Sequence, residues 1–258
     1  MQIIEQHIKG KRPDQRFCED GWVVTPHFAA VIDGSTSKIA GRQGGLLAMQ
    51  LVKEALRTLP ASANKQDMLQ HLTQTVAMHN VPEALTQAAY RLTCSAVIYS
   101  QEHRVVWMVG DCQCRWGGKT YTHGKLVDDI LVKARVDAAH YLLVASDLAR
   151  AVIFDALREQ TNFQNDTNPC NPYRYPVIDG TPVDASLVPE WKIPNTIQEL
   201  ILASDGYPAL ADTLEETENH LQRLLNEDPL CIGKNAATKC LMAGNDSFDD
   251  RCYLRIAL

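Results

Sequence analysis

Short apolar runs bounded by turn residues open the chain. Gln2 to Ile8 alternates apolar and polar positions, and Gly21–Thr25 and Phe28–Ile32 are two β-rich runs separated by Thr25-Pro26-His27. A proline between such runs marks a turn, so the pair predicts a hairpin. FAAVI is apolar at every position, the pattern of a strand covered on both faces. From Leu46 to Leu56 the apolar residues recur at helical spacing, ending near Pro60. Two further helices are expected, over 64–78 and over 82–92, the latter with Pro82 in its first turn. Hairpins are expected again over 94–100 with 104–110, and over 114–116 with 119–122 around Gly117-Gly118, a strong two-residue turn signal. YLLVAS (141–146) reads as a short strand, with Ser146 capping a helix that runs to about Gln160. ELILASDG (199–206) reads as a buried strand, 213–226 and 233–243 as helices, and RCYLRIAL as a closing strand.

Hairpins and meanders imply antiparallel sheets, and helices grouped between strand groups imply sheets covered by helix layers. No clean linker divides the 258 residues, so one domain is expected over 1–258. Residues 161–194 are dense in Pro, Asn and Asp without a sustained period, and read as an irregular, flap-like excursion. Lys and Arg number 25 against 31 Asp and Glu, a net charge of −6 that disfavours nucleic acid and anionic membrane as partners. No run approaches the length of a membrane-spanning helix, and the start is charged too early for a signal peptide. The eight cysteines then read as free thiols of a reducing cytoplasm. Cys112-x-Cys114 lacks a second ligand pair for zinc. The glycines at 41, 44 and 45 are not followed by the Gly-Lys-Ser/Thr of a phosphate loop.

Four acidic sites share one context. Glu19-Asp20 precedes a strand, Asp33-Gly34 follows FAAVI, Asp205-Gly206 follows ELILA, and Asp249-Asp250 precedes the last strand. Each alone reads as a turn. Repeated at four strand ends, the context points to carboxylates that converge and need a hard divalent cation to offset their repulsion.

The segments FCEDGWVV, FAAVIDGSTSK, VVWMVGDCQCRW, ELILASDGYPAL and DDRCYLRIAL resemble, in order, the signature segments of the PPM-type metal-dependent serine/threonine phosphatases, the protein phosphatase 2C-like family. The resemblance implies an α+β fold, an αββα sandwich of two antiparallel sheets flanked by helices, with two Mg²⁺ or Mn²⁺ ions at one end. It implies that Asp33 bridges both ions, with Gly34 offering its carbonyl. Glu19 and Asp20 would serve the second ion, Asp205 and Asp249 the first, and Asp111 a weaker third. Asp33 and Asp205 would be the catalytic pair, fixing the ions whose bridging water attacks a phosphomonoester. The substrate would be a phosphoserine or phosphothreonine protein, or a small phosphomonoester.

The sequence departs from the family on the substrate side. Asp33-Gly34 continues Ser35-Thr36-Ser37-Lys38, without the histidine that serves as general acid, and a serine hydroxyl cannot replace it. The offset of the phosphate-binding arginine falls on Gln15, with Arg16 and Arg12 close by as weak candidates. Lys38 reads as a solvated lysine within reach of a phosphate. An intact carboxylate set beside an altered substrate side suggests a hydrolase of weak or unusual activity; the alternative is a non-catalytic phosphatase-like regulatory or partner-binding module.

Overall fold

The computed structural model describes residues 1–39, 41–142 and 146–258. Among the described residues, ten strands form two five-stranded antiparallel sheets. The first, in spatial order, is β1 (Gln2–Lys9), β10 (Arg251–Ala257), β9 (Glu199–Ala203), β6 (Gln113–Trp116) and β7 (Lys119–Thr122). The second is β2 (Asp20–Val24), β3 (Phe28–Gly34), β4 (Cys94–Ser100), β5 (Val105–Val109) and β8 (Glu190–Lys192).

The sheets stack face to face, and strand alternation shows how. On β3, Ala29 and Val31 join Val97, Tyr99, Leu200, Leu202, Cys252 and Leu254 in the layer between the sheets. Phe28, Ala30 and Ile32 point the other way, against α1 (Gly44–Thr58) and α2 (Lys65–Ala77). Both faces of β3 are therefore apolar, as FAAVI requires. Ile201 and Tyr253 turn outward from the first sheet against α6 (Leu214–Glu227) and the loop that follows it. Helices thus cover both outer faces, and the fold is the αββα sandwich the sequence implies.

Local signals account for the helix ends. Asn64 caps α2 by accepting from the backbone N–H groups of Gln66 and Asp67, and Asp67 returns the bond to Asn64. Thr213 caps α6, whose first turn carries Glu215 and Glu216. Gly117 and Gly118, at φ 57° and 76°, make the expected turn between β6 and β7.

Several expected elements differ. Over 82–92 the chain makes two short 3₁₀ turns, Pro82–Leu85 and Ala88–Tyr90, not a helix. The Asn80 side chain, accepting from Leu92 N–H, and the Arg91 side chain, donating to the Ala84 carbonyl, fold the segment back on itself. Of the strand expected over 141–146, residues 143–145 lie outside the described residues. Tyr141 and Leu142 end a helix, α3 (Leu126–Leu142), which the sequence pattern did not reveal. The helix expected up to Gln160 is two pieces, α4 (Ser146–Val152) and α5 (Phe154–Glu159).

The helix expected over 233–243 is an irregular loop. Asp228 takes the backbone N–H groups of Ile232, Gly233 and Asn235, and Cys231 sits at φ 49°. The buried guanidinium of Arg135 on α3 donates to the carbonyls of Leu230, Cys231 and Ala237. These bonds supply the loop with the partners a helix would have provided. Residues 161–194 carry a parallel bridge between Gln164 and Tyr175 and an antiparallel bridge between Ile178 and Cys94. Val177, Ile178, Val183 and Val188 are buried there. No helix among the described residues is long and apolar enough to cross a membrane.

Candidate metal centre

Three chain segments end where the two sheets part. β3 delivers Asp33, whose parity follows Ala29 and Val31 toward the space between the sheets. β9 runs into Asp205. The link from β5 to β6 crosses from the second sheet to the first and places Asp111 at the crossing. Carboxylate oxygens of Asp33, Asp111 and Asp205 all lie within 4.8 Å of one another.

Close backbone approaches hold these ends in place. A Cβ on Gly34 would stand 2.4 Å from the Gly45 carbonyl oxygen and 2.6 Å from that of Glu19, so Gly34 and Gly45 together let α1 begin against the site. Gly110, at φ 91°, turns the chain into Asp111 beside Ser95. A Cβ on Gly206 would stand 1.9 Å from the Asp250 carbonyl oxygen. Asp250, buried, ties the neighbourhood together: Oδ1 accepts from Lys11 N–H (2.8 Å) and Oδ2 from Glu19 N–H (3.1 Å).

The other expected ligands, Glu19, Asp20 and Asp249, belong neither to this trio nor to the lining of the cavity beside it. Asp20 lies directly across from Asp33 in the β2–β3 register. It is buried, and its Oδ2 has no hydrogen-bond partner. Glu19 accepts from Thr36 Oγ (2.6 Å), and its main-chain carbonyl accepts from Gly34 N–H (3.1 Å). Asp249 is ion-paired with Lys11 (2.7 Å) and also touches Lys239. Arg16 is 87% exposed and clamped to Asp14, and Arg12 stacks over Phe17; neither lines the cavity beside the carboxylates.

Burial and like charge bear unequally on these carboxylates. Burial, with the charges of Asp20 and Asp111 added, raises the pKa of Asp33. Burial and the Asp33 charge raise Asp205 well above the ordinary carboxylate range. Burial pushes Asp20 up to about 7, against a hydrogen bond from Ser204. Asp111 differs: against the cost of burial, the Lys125 ammonium and the Ser95 hydroxyl hold it below the usual value. Oxygen-only donors, like-charge crowding and an orphaned buried carboxylate oxygen fit a hard divalent cation.

The cavity is also lined by Lys38, Lys125, Arg150 and Lys239. Lys38 donates to the Thr36 carbonyl (3.1 Å), and burial, with Lys239 and Arg150 nearby, lowers its ammonium to about 7. Arg150 donates to the Thr238 carbonyl. Neither has a carboxylate partner among the described residues. Of these four only Lys38 stood out in the sequence. The others come from a turn, from α4 and from the loop after α6, where no spacing signals a site.

An αββα sandwich whose sheets part over a carboxylate cluster is the architecture of the metal-dependent phosphatases. The family model for Protein phosphatase 2C matches residues 5–230, and the chain belongs to that family. Among solved structures it is similar to the serine/threonine phosphatase Stp1 from Staphylococcus aureus, at 14% identity and TM-score 0.53, covering 100% of this chain and 96% of that one. It is also similar to PppA, a key regulatory component of T6SS in Pseudomonas aeruginosa, at 14% identity and TM-score 0.50, covering 98% and 96%. No curated protein matches.

Proposed function

We propose that the protein is a divalent-metal-dependent phosphomonoester hydrolase acting on phosphoserine or phosphothreonine in a protein substrate. The observation that carries this reading is the carboxylate cluster of Asp33, Asp111 and Asp205 facing Lys38 and Arg150 across one cavity. Asp33 and Asp205 would hold a pair of Mg²⁺ or Mn²⁺ ions, with Gly34 through its carbonyl and with Glu19, Asp20 and Asp249 completing the set. Bound there, the ions supply an activated water and neutralise charge on the phosphoryl group. Asp111, to which the family resemblance gives a weaker third ion, is instead ion-paired with Lys125.

The chain's own residues do the rest. Lys38 Nζ and the Arg150 guanidinium bind the phosphoryl oxygens, taking the part first sought in Arg12 and Arg16. Asp33 and Asp205, fixed at strand ends, orient the attack. No histidine lines the cavity among the described residues, and the Lys38 ammonium, near 7, is a group able to release a proton there at neutral pH. Unpaired cysteines, of which Cys170 alone is exposed, suit a reducing compartment such as the cytoplasm. A purely partner-binding role gives no reason for cations and carboxylates to share one open cavity.

The test is hydrolysis of p-nitrophenyl phosphate and of a phosphothreonine peptide, with Mn²⁺ and with chelator. Turnover that needs Mn²⁺, and that falls by at least about 10³-fold in Asp33→Asn, is expected. Absence of turnover on both substrates with Mn²⁺ present, or equal turnover in chelator, overturns the reading.

A further inference from the structure

Asp111 belongs to the carboxylate cluster, yet both of its oxygens already have donors. Ser95 Oγ donates to Oδ1 at 2.6 Å, and Lys125 Nζ donates to Oδ2 at 2.5 Å. Ser95 sits on β4 across from Asp33 in register. Lys125 sits one residue before α3, in the turn whose carbonyl accepts from Asp128 N–H (3.0 Å). Its ammonium lies 5.1 Å over the Tyr175 ring. The ion pair is largely shielded from solvent: the side chains of Lys125 and Asp111 are 16% and 20% exposed. Asp128, the next carboxylate toward the cavity, is held by Gln160 Nε2 at 2.7 Å.

The other cavity cations stand differently. Lys239 is engaged by Asp249, and Lys38 by a main-chain carbonyl. Lys125 is the described lysine ion-paired to a member of the cluster itself.

We propose that Lys125 is a built-in counter-ion that withdraws Asp111 from metal ligation, so that the centre takes up one divalent cation fewer than its carboxylates would otherwise admit. This rests on the metal-dependent reading above. A divalent ion on Oδ2 would have to displace the ammonium, and one on Oδ1 would crowd the Ser95 hydroxyl while standing across the same carboxylate from the ammonium, where like charges repel. The ammonium offsets the Asp111 charge, which leaves Asp33 and Asp205 as the carboxylates of the cluster open to ions. Lys125 acts through Asp111, and is a positioning residue.

The experiment is Mn²⁺ titration by calorimetry on the full chain, comparing wild type, Lys125→Met, Asp111→Asn and the double variant. Lys125→Met should bind one more Mn²⁺ per chain than wild type, and the double variant should lose that extra ion. Asp111→Asn alone should leave the wild-type stoichiometry unchanged and its affinity within about threefold. Equal stoichiometry and affinity in wild type and Lys125→Met, or a lost ion in Asp111→Asn alone, overturns the inference. If Lys125→Met does not fold, Asp111→Asn, which keeps the side-chain volume, decides by itself. If the wild type takes up no Mn²⁺, the metal-dependent reading falls; the inference survives that result only if Lys125→Met gains an ion, and falls too if it does not.

Discussion

Stripping divalent cations and raising the pH should destabilise the wild-type protein more than its Asp20→Asn variant. Asp20 is buried across from Asp33 with an orphaned oxygen, and burial places its folded-state pKa at about 7 against 3.8 for the free side chain. The folded state therefore keeps its proton where the unfolded chain has lost it. Stability from this group is complete below the unfolded value and is lost as the pH rises through about 7. Between about pH 6 and about pH 8 that loss is ~1.4 kcal/mol, or ~3–5 °C in melting temperature for a chain of this size. Asparagine does not titrate, so the variant lacks this decline. His7 and His123, both lowered by burial, and Lys38 titrate in both chains and cancel in the comparison; Asp33, raised to about 7 by burial and in part by the Asp20 charge, is raised less in the variant, which widens the difference in the same direction. Thermal melts followed by circular dichroism in chelator, at both pH values, give the difference directly. Mn²⁺ should restore the wild type at the higher pH, because a cation then takes the place of the proton. Parallel declines in the two proteins would show that Asp20 is an ordinary carboxylate and that the crowding described here does not strain the folded state.

Lys38→Met and Arg150→Met should each weaken inhibition by inorganic phosphate by roughly 10- to 100-fold, the worth of a charged hydrogen bond, and leave Mn²⁺ affinity unaltered in calorimetry; Arg16→Ala should change neither. Gly206→Ala forces a Cβ to within 1.9 Å of the Asp250 carbonyl oxygen and should cost ~1–3 kcal/mol in denaturant melts; an unchanged midpoint would mean that β9 and β10 yield there freely. In hydrogen exchange, the Ile178 amide, bonded to the Cys94 carbonyl, and the Val177 amide, bonded to Asn165 Oδ1, should be slow, while amides over 166–172 exchange fast; uniform exchange across 161–194 would contradict that division.

Strands were the readable part of this chain, because both alternation and continuous apolar runs leave a mark. β3 shows why: its two faces meet different layers, and each demands an apolar residue. α3 left no such mark. Its inward positions are Val127, Leu131, Arg135 and Ala139, so an arginine interrupts the stripe, while Leu126, Ile130 and Tyr141 are exposed. The loop after α6 is not legible as a loop, because the Asp228 and Arg135 side chains do the work of a backbone ladder, and side-chain bonds to distant main-chain groups have no period. The carboxylates at strand ends were visible through a repeated local context. The cations facing them were not, since Lys125, Arg150 and Lys239 reach the cavity from three unrelated elements and meet only in three dimensions.

Arg135 has a consequence for how such a protein can change. It grips residues 230–237 solely through main-chain carbonyls, and a carbonyl is the same whatever side chain it carries. The loop can therefore exchange its residues, including those that precede Thr238 and Lys239 at the cavity rim, while following the same path. Selection for a new substrate can rewrite that rim one position at a time, with Arg135 holding the loop's carbonyls and Asp228 its amides.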